Sequence, residues 1–363
     1  MADRAKFRNI DGILVGLLIL NTAIGIAFIE SSSSSGSDYP LRQLIFLVIS
    51  LVLFFLALTI DYRILTEISP FLYGLLSAVL AGVLVFGRLV SGAKSWIRTP
   101  FFIQIQPSEI MKLAVILVLA RLFAKHRADR VSFSSALAGT GLVLVPVLLI
   151  ALQPDLGTTM SFLIILFAGL FLTGLNRRVV LILILAFLAA GWLSWNFALK
   201  DYQKQRVRTL IIPQSDPLAT GYQIIQSKIA VGSGGLIGKG FQKGSQSQLR
   251  FLPARHTDFI FAVICEEMGF IGAVLVILIY VLMLLRIFQT VKSARDRLGI
   301  YIVYMVGIMI AFQFFINVFM TVGLFPIAGI PLPFISYGGS SLLTNYLAVS
   351  LVVNVKMRRF VNV

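Results

Sequence analysis

The chain is poor in charged residues, histidine and cysteine. Only 13% of its 363 residues are Asp, Glu, Lys or Arg, whereas 58% are hydrophobic. A soluble domain of this length cannot bury so much apolar surface, so the composition excludes a water-soluble enzyme and indicates a protein whose solvent is lipid. Because Cys265 is the only cysteine, an intrachain disulfide is excluded, and the spacing of cysteine and histidine matches no structural zinc site.

Acidic residues are scarcer than basic ones. The chain has 31 Lys and Arg but only 15 Asp and Glu, a formal net charge of +16. The basic residues are scattered between apolar runs, which favours an anionic membrane or an anionic lipid-linked substrate over nucleic acid. No small-residue cleavage site follows the first basic residues, which predicts an uncleaved first span. The absence of an internal repeat argues against an inverted-repeat transporter.

Ten apolar stretches have about the length that a spanning helix needs, roughly 20 residues. They lie near residues 10–29, 41–60, 70–90, 108–124, 133–151, 156–173, 178–198, 257–285, 299–323 and 336–355. Among the short connecting segments, Lys and Arg concentrate on one side, and the short loops of the other side hold only Lys94 and Arg98. Since short cytoplasmic loops are rich in Lys and Arg, we expect both termini in the cytoplasm.

These stretches predict an all-α polytopic membrane protein with about ten transmembrane helices. We expect a single domain over residues 1–363, with a long extracytoplasmic loop, 199–256, between the seventh and eighth spans. Its many basic residues do not contradict this orientation, because long loops translocate largely regardless of charge.

Asp258 stands where this basic, Gly-rich loop gives way to an apolar span. A carboxylate at membrane depth is costly and therefore marks a candidate functional site. Glu266 follows eight residues later, so a helix would place both acids on nearly the same face. A neighbouring acid in a desolvated cleft raises the pKa of a carboxyl group, which suits a general base. His256 is the rival base, although a lone histidine at a helix start is more often a hydrogen-bonding neighbour.

Two further polar groups are predicted on the same outer side. Glu109 and Lys112 are three residues apart on a predicted helix and can pair. This pair would either lock the helix into the bundle or line a functional cleft. Asp155 precedes an apolar run, where it would cap the sixth helix. A helix N-terminus is also a place where an anionic group is easily held.

The Gly-rich part of the long loop, residues 221–240, allows two interpretations. Its first half is amphipathic and would suit the membrane interface. A nucleotide-binding phosphate loop is excluded, because Ser233 and Gly240 stand where that motif needs Gly and Ser or Thr. The backbone N–H groups, with Lys228 and Lys239, would still cradle a pyrophosphate. The alternative is a flexible turn with solvated lysines.

Two outer segments are expected to be irregular. Residues 91–107 carry Trp96, which is typical of an interfacial anchor. Residues 324–340 contain three prolines and repeated glycines, which exclude a regular helix, and they include Ser336. Such backbone is tolerated at membrane depth only where protein or a water-filled cavity surrounds it.

Taken together, these motifs resemble the SEDS family, the polytopic cell-wall proteins of the FtsW/RodA/SpoVE type. The matching segments, in the family's order, are residues 92–97, 106–109, 153–158, 221–223, 256–259 and 331–340. Residues 226–235 and 246–249 resemble the elongation branch of the family more than the division and sporulation branches. The resemblance covers most of the chain. One departure is Ala254, which stands where the family usually has Glu.

The resemblance implies a peptidoglycan glycosyltransferase that polymerises lipid II on the outer face of the bacterial plasma membrane, for cell elongation and rod shape. The family's essential aspartate falls on Asp258. The resemblance also implies a partner, a class B penicillin-binding protein of the elongation machinery. The substrate-binding candidates that we carry forward are Trp96, Glu109, Lys112, Asp155, Lys228, Lys239, Arg255, His256 and Ser336.

The cofactor and the activity each keep an alternative. A divalent cation, Mg²⁺ or Mn²⁺, held by carboxylates and the pyrophosphate, is a candidate cofactor, and no organic cofactor is expected. The rival function is a lipid II flippase, which would need a polar path to the cytoplasmic side, whereas all the polar clusters are predicted to be outer. A pure scaffold for wall-synthesis partners would not require an acid positioned at residue 258.

Overall fold

The computed structural model describes residues 10–33, 36–90, 93–98, 104–125, 133–174, 201–212 and 220–359, with isolated positions between 181 and 216. Most of these described residues are helical. The long helices are α1 (Gly12–Ser32), α2 (Tyr39–Thr59), α3 (Tyr62–Phe86), α4 (Pro107–Ala124), α5 (Phe133–Ala151), α6 (Leu156–Leu172), α10 (Ile260–Ser293), α11 (Arg297–Thr321) and α12 (Gly339–Met357). Within residues 199–256 lie the shorter α7 (Asp201–Ile211), α8 (Thr220–Ser233) and α9 (Ser245–Gln248).

Six of the long helices, α1, α2, α3, α5, α10 and α11, are long and apolar enough to cross a membrane, and α6 is a shorter apolar helix. The predicted all-α polytopic membrane class is therefore confirmed. The count of ten spans stays a prediction, because most of the seventh span, 178–198, lies outside the described residues.

The third span differs from its predicted bounds of 70–90. Helix α3 begins at Tyr62, because the Asp61 side chain accepts a hydrogen bond from the Arg63 amide, and it contains Pro70. After Phe86 the chain forms a small antiparallel sheet in the order β1 (Arg88–Val90), β2 (Ala93–Arg98) and β3 (Gln104–Ile105). The apolar pattern alone could not separate the end of the helix from this first strand.

Polar contacts gather at both ends of the helical bundle. At one end, Lys356 pairs with Asp11 at 2.5 Å and Arg63 with Asp296 at 3.0 Å. The other end, which we call the site end, contains residues 251–259 and the irregular segment 325–338. Helix α4 is buried along most of its length between α3, α5, α6 and α11.

The eighth span is not one continuous helix. Residues 253–259 form successive turns, and α10 is interrupted at Gly269, which has φ +65°. The freed backbone groups pair with the Gly-rich segment: Lys239 N–H donates to Glu266 O at 3.0 Å, and Phe270 N–H donates to Gly235 O at 2.9 Å. Gly269 is required because a Cβ there would lie 2.4 Å from the Gly238 nitrogen. This pairing gives the glycine run a structural role that neither interpretation of 221–240 included.

Candidate active site

Asp258 lies in a tight turn just before α10. The carbonyl oxygen of Ala254 accepts hydrogen bonds from Thr257 N–H at 3.1 Å and Phe259 N–H at 3.2 Å. Ala254 adopts the left-handed conformation, with φ +49°. Because Asp258 precedes the helix, the expectation that it shares a helix face with Glu266 is wrong.

Two buried polar side chains hold this turn. Asn317, on α11, donates its amide to the carbonyl oxygens of Asp258 at 2.9 Å and Ile330 at 2.8 Å. Ser336 donates its hydroxyl to Thr257 O at 2.6 Å and accepts from Leu332 N–H at 2.8 Å. Both side chains therefore tie the turn to the irregular segment 325–338, and the hydroxyl of Ser336 is committed to that contact.

The carboxyl group of Asp258 has a strongly perturbed pKa. The net effect raises the pKa of Asp258 to about 6. Burial is the largest cause and the charge of Asp155 acts in the same direction, while a hydrogen bond with Thr257 and the charge of Arg206 act in the opposite direction. The neighbouring acid is thus Asp155 and not Glu266. A pKa near 6 leaves the group mostly ionised at neutral pH but still basic enough to take a proton.

Asp155 caps α6 at the site end, as one of the two interpretations predicted. Its carboxylate accepts from Thr158 N–H at 3.0 Å, from the Thr158 hydroxyl at 2.8 Å and from the Gln106 amide at 2.9 Å. The start of α6 lies against the irregular segment: a Cβ on Gly157 would be 2.2 Å from Ala328 O. Burial raises the pKa of Asp155, and the negative charge of Glu109 acts in the same direction. The hydrogen bonds from Thr158 and the positive charge of Lys112 lower the pKa of Asp155.

Glu109 and Lys112 form a buried ion pair next to Asp155. The Lys112 Nζ lies 2.8 Å from Glu109 Oε1, and both side chains are almost completely buried. The second carboxylate oxygen of Glu109 is buried without a hydrogen-bond partner. The predicted pair therefore forms, and its charges act on Asp155. This geometry fits both a structural lock and a wall of the cleft.

Arg206 is a residue of this site that the sequence analysis missed. It lies on α7, its Nη1 donates to Ile327 O at 3.3 Å, and its charge lowers the pKa of Asp258. The only signal in the sequence was its place in a basic, amphipathic stretch of the long loop. Because the charges of a long loop do not indicate its side of the membrane, the sequence did not distinguish Arg206 from the other basic residues of the loop.

Two candidates flank Asp258 on the side of α1 and α2. His256 stacks on Tyr39 with ring centroids 4.7 Å apart, and burial, with the charge of Arg255, lowers its pKa. The lowered pKa favours the neutral form of the imidazole. The Arg255 guanidinium donates to the carbonyl oxygen of Ser32. Arg255 therefore connects the turn to α1, and His256 connects it to α2.

The remaining candidates lie elsewhere. Lys239 pairs with Glu266 at 2.8 Å in the cluster that supports the break in α10. Lys228 is exposed on α8, with its side chain against Gly323. Trp96 is partly exposed on β2, which lies beside α3 and α4. None of the contacts described for these three residues reaches the carboxylate of Asp258.

The described residues contain no group of three or more His, Cys, Asp or Glu side chains that could hold a metal ion. Asp155 and Asp258 are two acids of the site end that interact electrostatically. Mg²⁺ is commonly bound by one or two carboxylates together with substrate phosphates. This pair fits a cation that arrives with a phosphorylated substrate better than a resident metal.

The fold and the site define a polytopic helical membrane protein. One end of it holds the buried carboxyl group of Asp258, the cationic side chains of Arg206 and Lys112, and the irregular segment 325–338. A sequence model of the FtsW/RodA/SpoVE family, described as cell cycle protein, matches residues 8–360. The chain belongs to this family, which confirms the resemblance found in its motifs.

Similar proteins cover nearly the whole chain. Peptidoglycan glycosyltransferase MrdB of Escherichia coli K12 is 38% identical over 349 residues, which are 94% of this chain and 93% of that protein. Peptidoglycan glycosyltransferase RodA of Treponema pallidum is 31% identical, over 97% of this chain and 98% of that protein.

Solved structures share the fold. A chain from a study of polymerization and crosslinking by a peptidoglycan synthase complex has a TM-score of 0.82 and 34% identity, and the match covers 97% of this chain and 99% of that chain. Rod shape determining protein RodA of Thermus thermophilus has a TM-score of 0.73 and 28% identity, covering 97% and 98%.

Proposed function

We propose that this chain is a peptidoglycan glycosyltransferase that joins lipid II units into glycan strands, with Asp258 as the general base. The observation that carries the assignment is the carboxyl group of Asp258, whose pKa is raised to about 6 in a turn held by buried side chains. The names of the related proteins support the activity, and the geometry supports the residue.

The reaction needs one base and a stabilised leaving group. Asp258 takes the proton from the 4-hydroxyl of the acceptor sugar as that oxygen attacks the anomeric carbon of the donor. The bond from this carbon to the diphosphate oxygen breaks, and the lipid diphosphate leaves with the bonding electrons. A single direct displacement of this kind inverts the anomeric centre.

The leaving diphosphate requires cations but no proton. Arg206 is the cation whose charge acts on Asp258, and Lys112 acts on the neighbouring Asp155. We therefore assign diphosphate binding first to Arg206 and then to Lys112, in place of Lys228 and Lys239. A divalent cation, when it enters with the substrate between Asp155 and Asp258, would neutralise further diphosphate charge.

The proposed partner is a class B penicillin-binding protein, which would supply crosslinking to the strands. The similarity to a chain of a peptidoglycan synthase complex supports this assignment. We also place the site end on the extracytoplasmic face of the bacterial plasma membrane, with both termini in the cytoplasm. The distribution of Lys and Arg in the short loops supports that orientation.

The test is polymerisation of labelled lipid II by the purified protein, followed by separation of the glycan strands by length. Asp258→Asn keeps the shape of the side chain and removes its basicity, so strands should be absent. Asp201→Asn is the matched control, because Asp201 is an exposed carboxylate on α7. Equal strand yield from Asp258→Asn and the wild type would refute the assignment of the base.

A further inference from the structure

A cavity lies between the junction of α1 and α2 and the loop segment around α9. Its volume is about 640 Å³, which falls in the range of roughly 300–1,000 Å³ typical of ligand sites. Its lining includes polar side chains from both walls: Glu30, Ser31, Ser33, Ser37, Gln242 and Gln248.

These polar groups are mostly uncharged hydrogen-bonding groups. The hydroxyl of Ser33 is buried without a hydrogen-bond partner, so its hydrogen-bonding capacity is unused. Glu30 is the single charged side chain among the lining residues that the structure describes, and neither lysine nor arginine is among them. A diphosphate needs cations, so this lining does not suit the charged end of a lipid-linked substrate.

The cavity also presents apolar surface from α1 and α2. Ile26, Leu41 and Leu44 belong to its lining, and Leu41 remains 59% exposed. Ligand sites typically combine apolar walls with a few convergent polar groups. Amide and hydroxyl groups opposite an apolar wall match a saccharide, which has hydroxyls at its edge and C–H groups on its faces.

The cavity is joined to the turn that carries Asp258. The wall of the cavity at Ser31 and Ser32 receives two hydrogen bonds from the long loop: Gln248 donates to Ser31 O at 2.7 Å, and the guanidinium of Arg255 donates to Ser32 O. Arg255 is three residues from Asp258. A ligand in the cavity would therefore lie along the chain that positions the base.

We propose that this cavity is a binding site for neutral glycan, which holds sugars of the strand that are already linked while the next bond forms. The inference rests on the proposed function, because it assigns the strand to a site next to the reacting sugars. A strand held in this way stays bound between successive additions, so the cavity would control strand length more than the rate of a single addition.

The first experiment measures binding alone. The probe is a soluble, uncharged tetrasaccharide of β-1,4-linked N-acetylglucosamine, without lipid or diphosphate, titrated into the detergent-solubilised protein. Leu41→Trp places a larger side chain in the wall of the cavity and should weaken binding by about tenfold or more, the loss expected when a ligand is displaced from part of its contacts. Gln242→Ala should weaken it less. The matched control is Leu20→Trp, an exposed position of α1 outside the cavity.

The binding result is independent of catalysis. Asp258→Asn should bind the tetrasaccharide as the wild type does, so a failure of the proposed base or of polymerisation leaves this measurement intact. Undetectable binding at millimolar tetrasaccharide, or equal binding by Leu41→Trp and Leu20→Trp, would overturn the proposal. Thermal melting of each variant identifies a loss of binding that comes from unfolding.

The second experiment measures strand length during lipid II polymerisation. Leu41→Trp should shorten the strands several-fold relative to Leu20→Trp. If one of the two variants, Leu41→Trp or Gln242→Ala, misfolds, the other still tests the proposal. Strands of unchanged length from a folded Leu41→Trp variant that no longer binds the tetrasaccharide would show that the cavity does not hold the growing strand.

Discussion

Replacement of Asp258 by asparagine should stabilise the folded protein while it abolishes polymerisation. In the folded chain the pKa of this carboxyl group rises from 3.8 to about 6. Each pKa unit corresponds to about 1.4 kcal/mol, so the ionised carboxylate costs the folded state about 3 kcal/mol at neutral pH. Asparagine has a similar shape and carries no charge, so it avoids this cost.

The sign of the pH dependence follows from the raised pKa. The folded protein binds the proton of Asp258 more tightly than the unfolded chain does. The stabilising contribution of this group is therefore complete below about pH 4, declines as the pH rises towards about 6, and stays at its lower value above that. The advantage of Asp258→Asn should appear at pH 8 and disappear at pH 4.

The assay combines thermal melting in detergent at the two pH values with lipid II polymerisation at pH 8. We expect the variant to melt a few degrees above the wild type at pH 8. Loss of a general base lowers the rate by roughly 10²–10⁴-fold. In the wild type, activity should rise with pH through about 6 and then level off. A variant that melts below the wild type at pH 8 would show that the carboxylate stabilises the fold, which contradicts a desolvated base.

Three further predictions concern the surroundings of Asp258. Glu109→Gln and Lys112→Ala should reduce polymerisation. If turnover falls while the melting temperature is unchanged, the pair lines the cleft; if turnover and melting temperature fall in proportion, the pair is a structural lock. Ser336→Ala leaves Leu332 N–H without its acceptor, so it should lower the melting temperature. Because Asp258 is displaced, it should also reduce kcat by about tenfold or more, with a smaller change in KM. At saturating lipid II, a cognate class B penicillin-binding protein should raise turnover; equal rates with and without it would contradict activation.

The sequence singles out Asp258 as a candidate because the signal there is local. A carboxylate at the border of a spanning segment is costly wherever the neighbouring helices lie, so the position alone marks it. Asp155 as a helix cap and the pair of Glu109 and Lys112 were also predictable, since helix periodicity and capping act over three or four residues. Each of these features depends on residues close together in the chain.

The neighbours of Asp258 could not be predicted in the same way. Glu266 was expected beside it because a continuous helix was assumed, but α10 begins only at Ile260, after Asp258, and Glu266 pairs with Lys239 instead. Arg206 reaches the site from α7, through a contact between residues more than a hundred positions apart. Such contacts depend on how helices pack, which periodicity does not encode.

The contacts of the turn also indicate which part of the site a partner would change. Asn317 and Ser336 fix the turn through buried hydrogen bonds to α11 and the irregular segment, so the position of Asp258 is set by the packed core. Arg206 is held differently, because its helix α7 packs on α8, and Arg206 reaches the irregular segment through a bond of 3.3 Å. A partner that favours one arrangement of the site shifts its population by its differential affinity. Activation is therefore expected to move Arg206 relative to Asp258 and to leave the turn around Asp258 unchanged. This movement would change how well the leaving diphosphate is stabilised, and hence kcat.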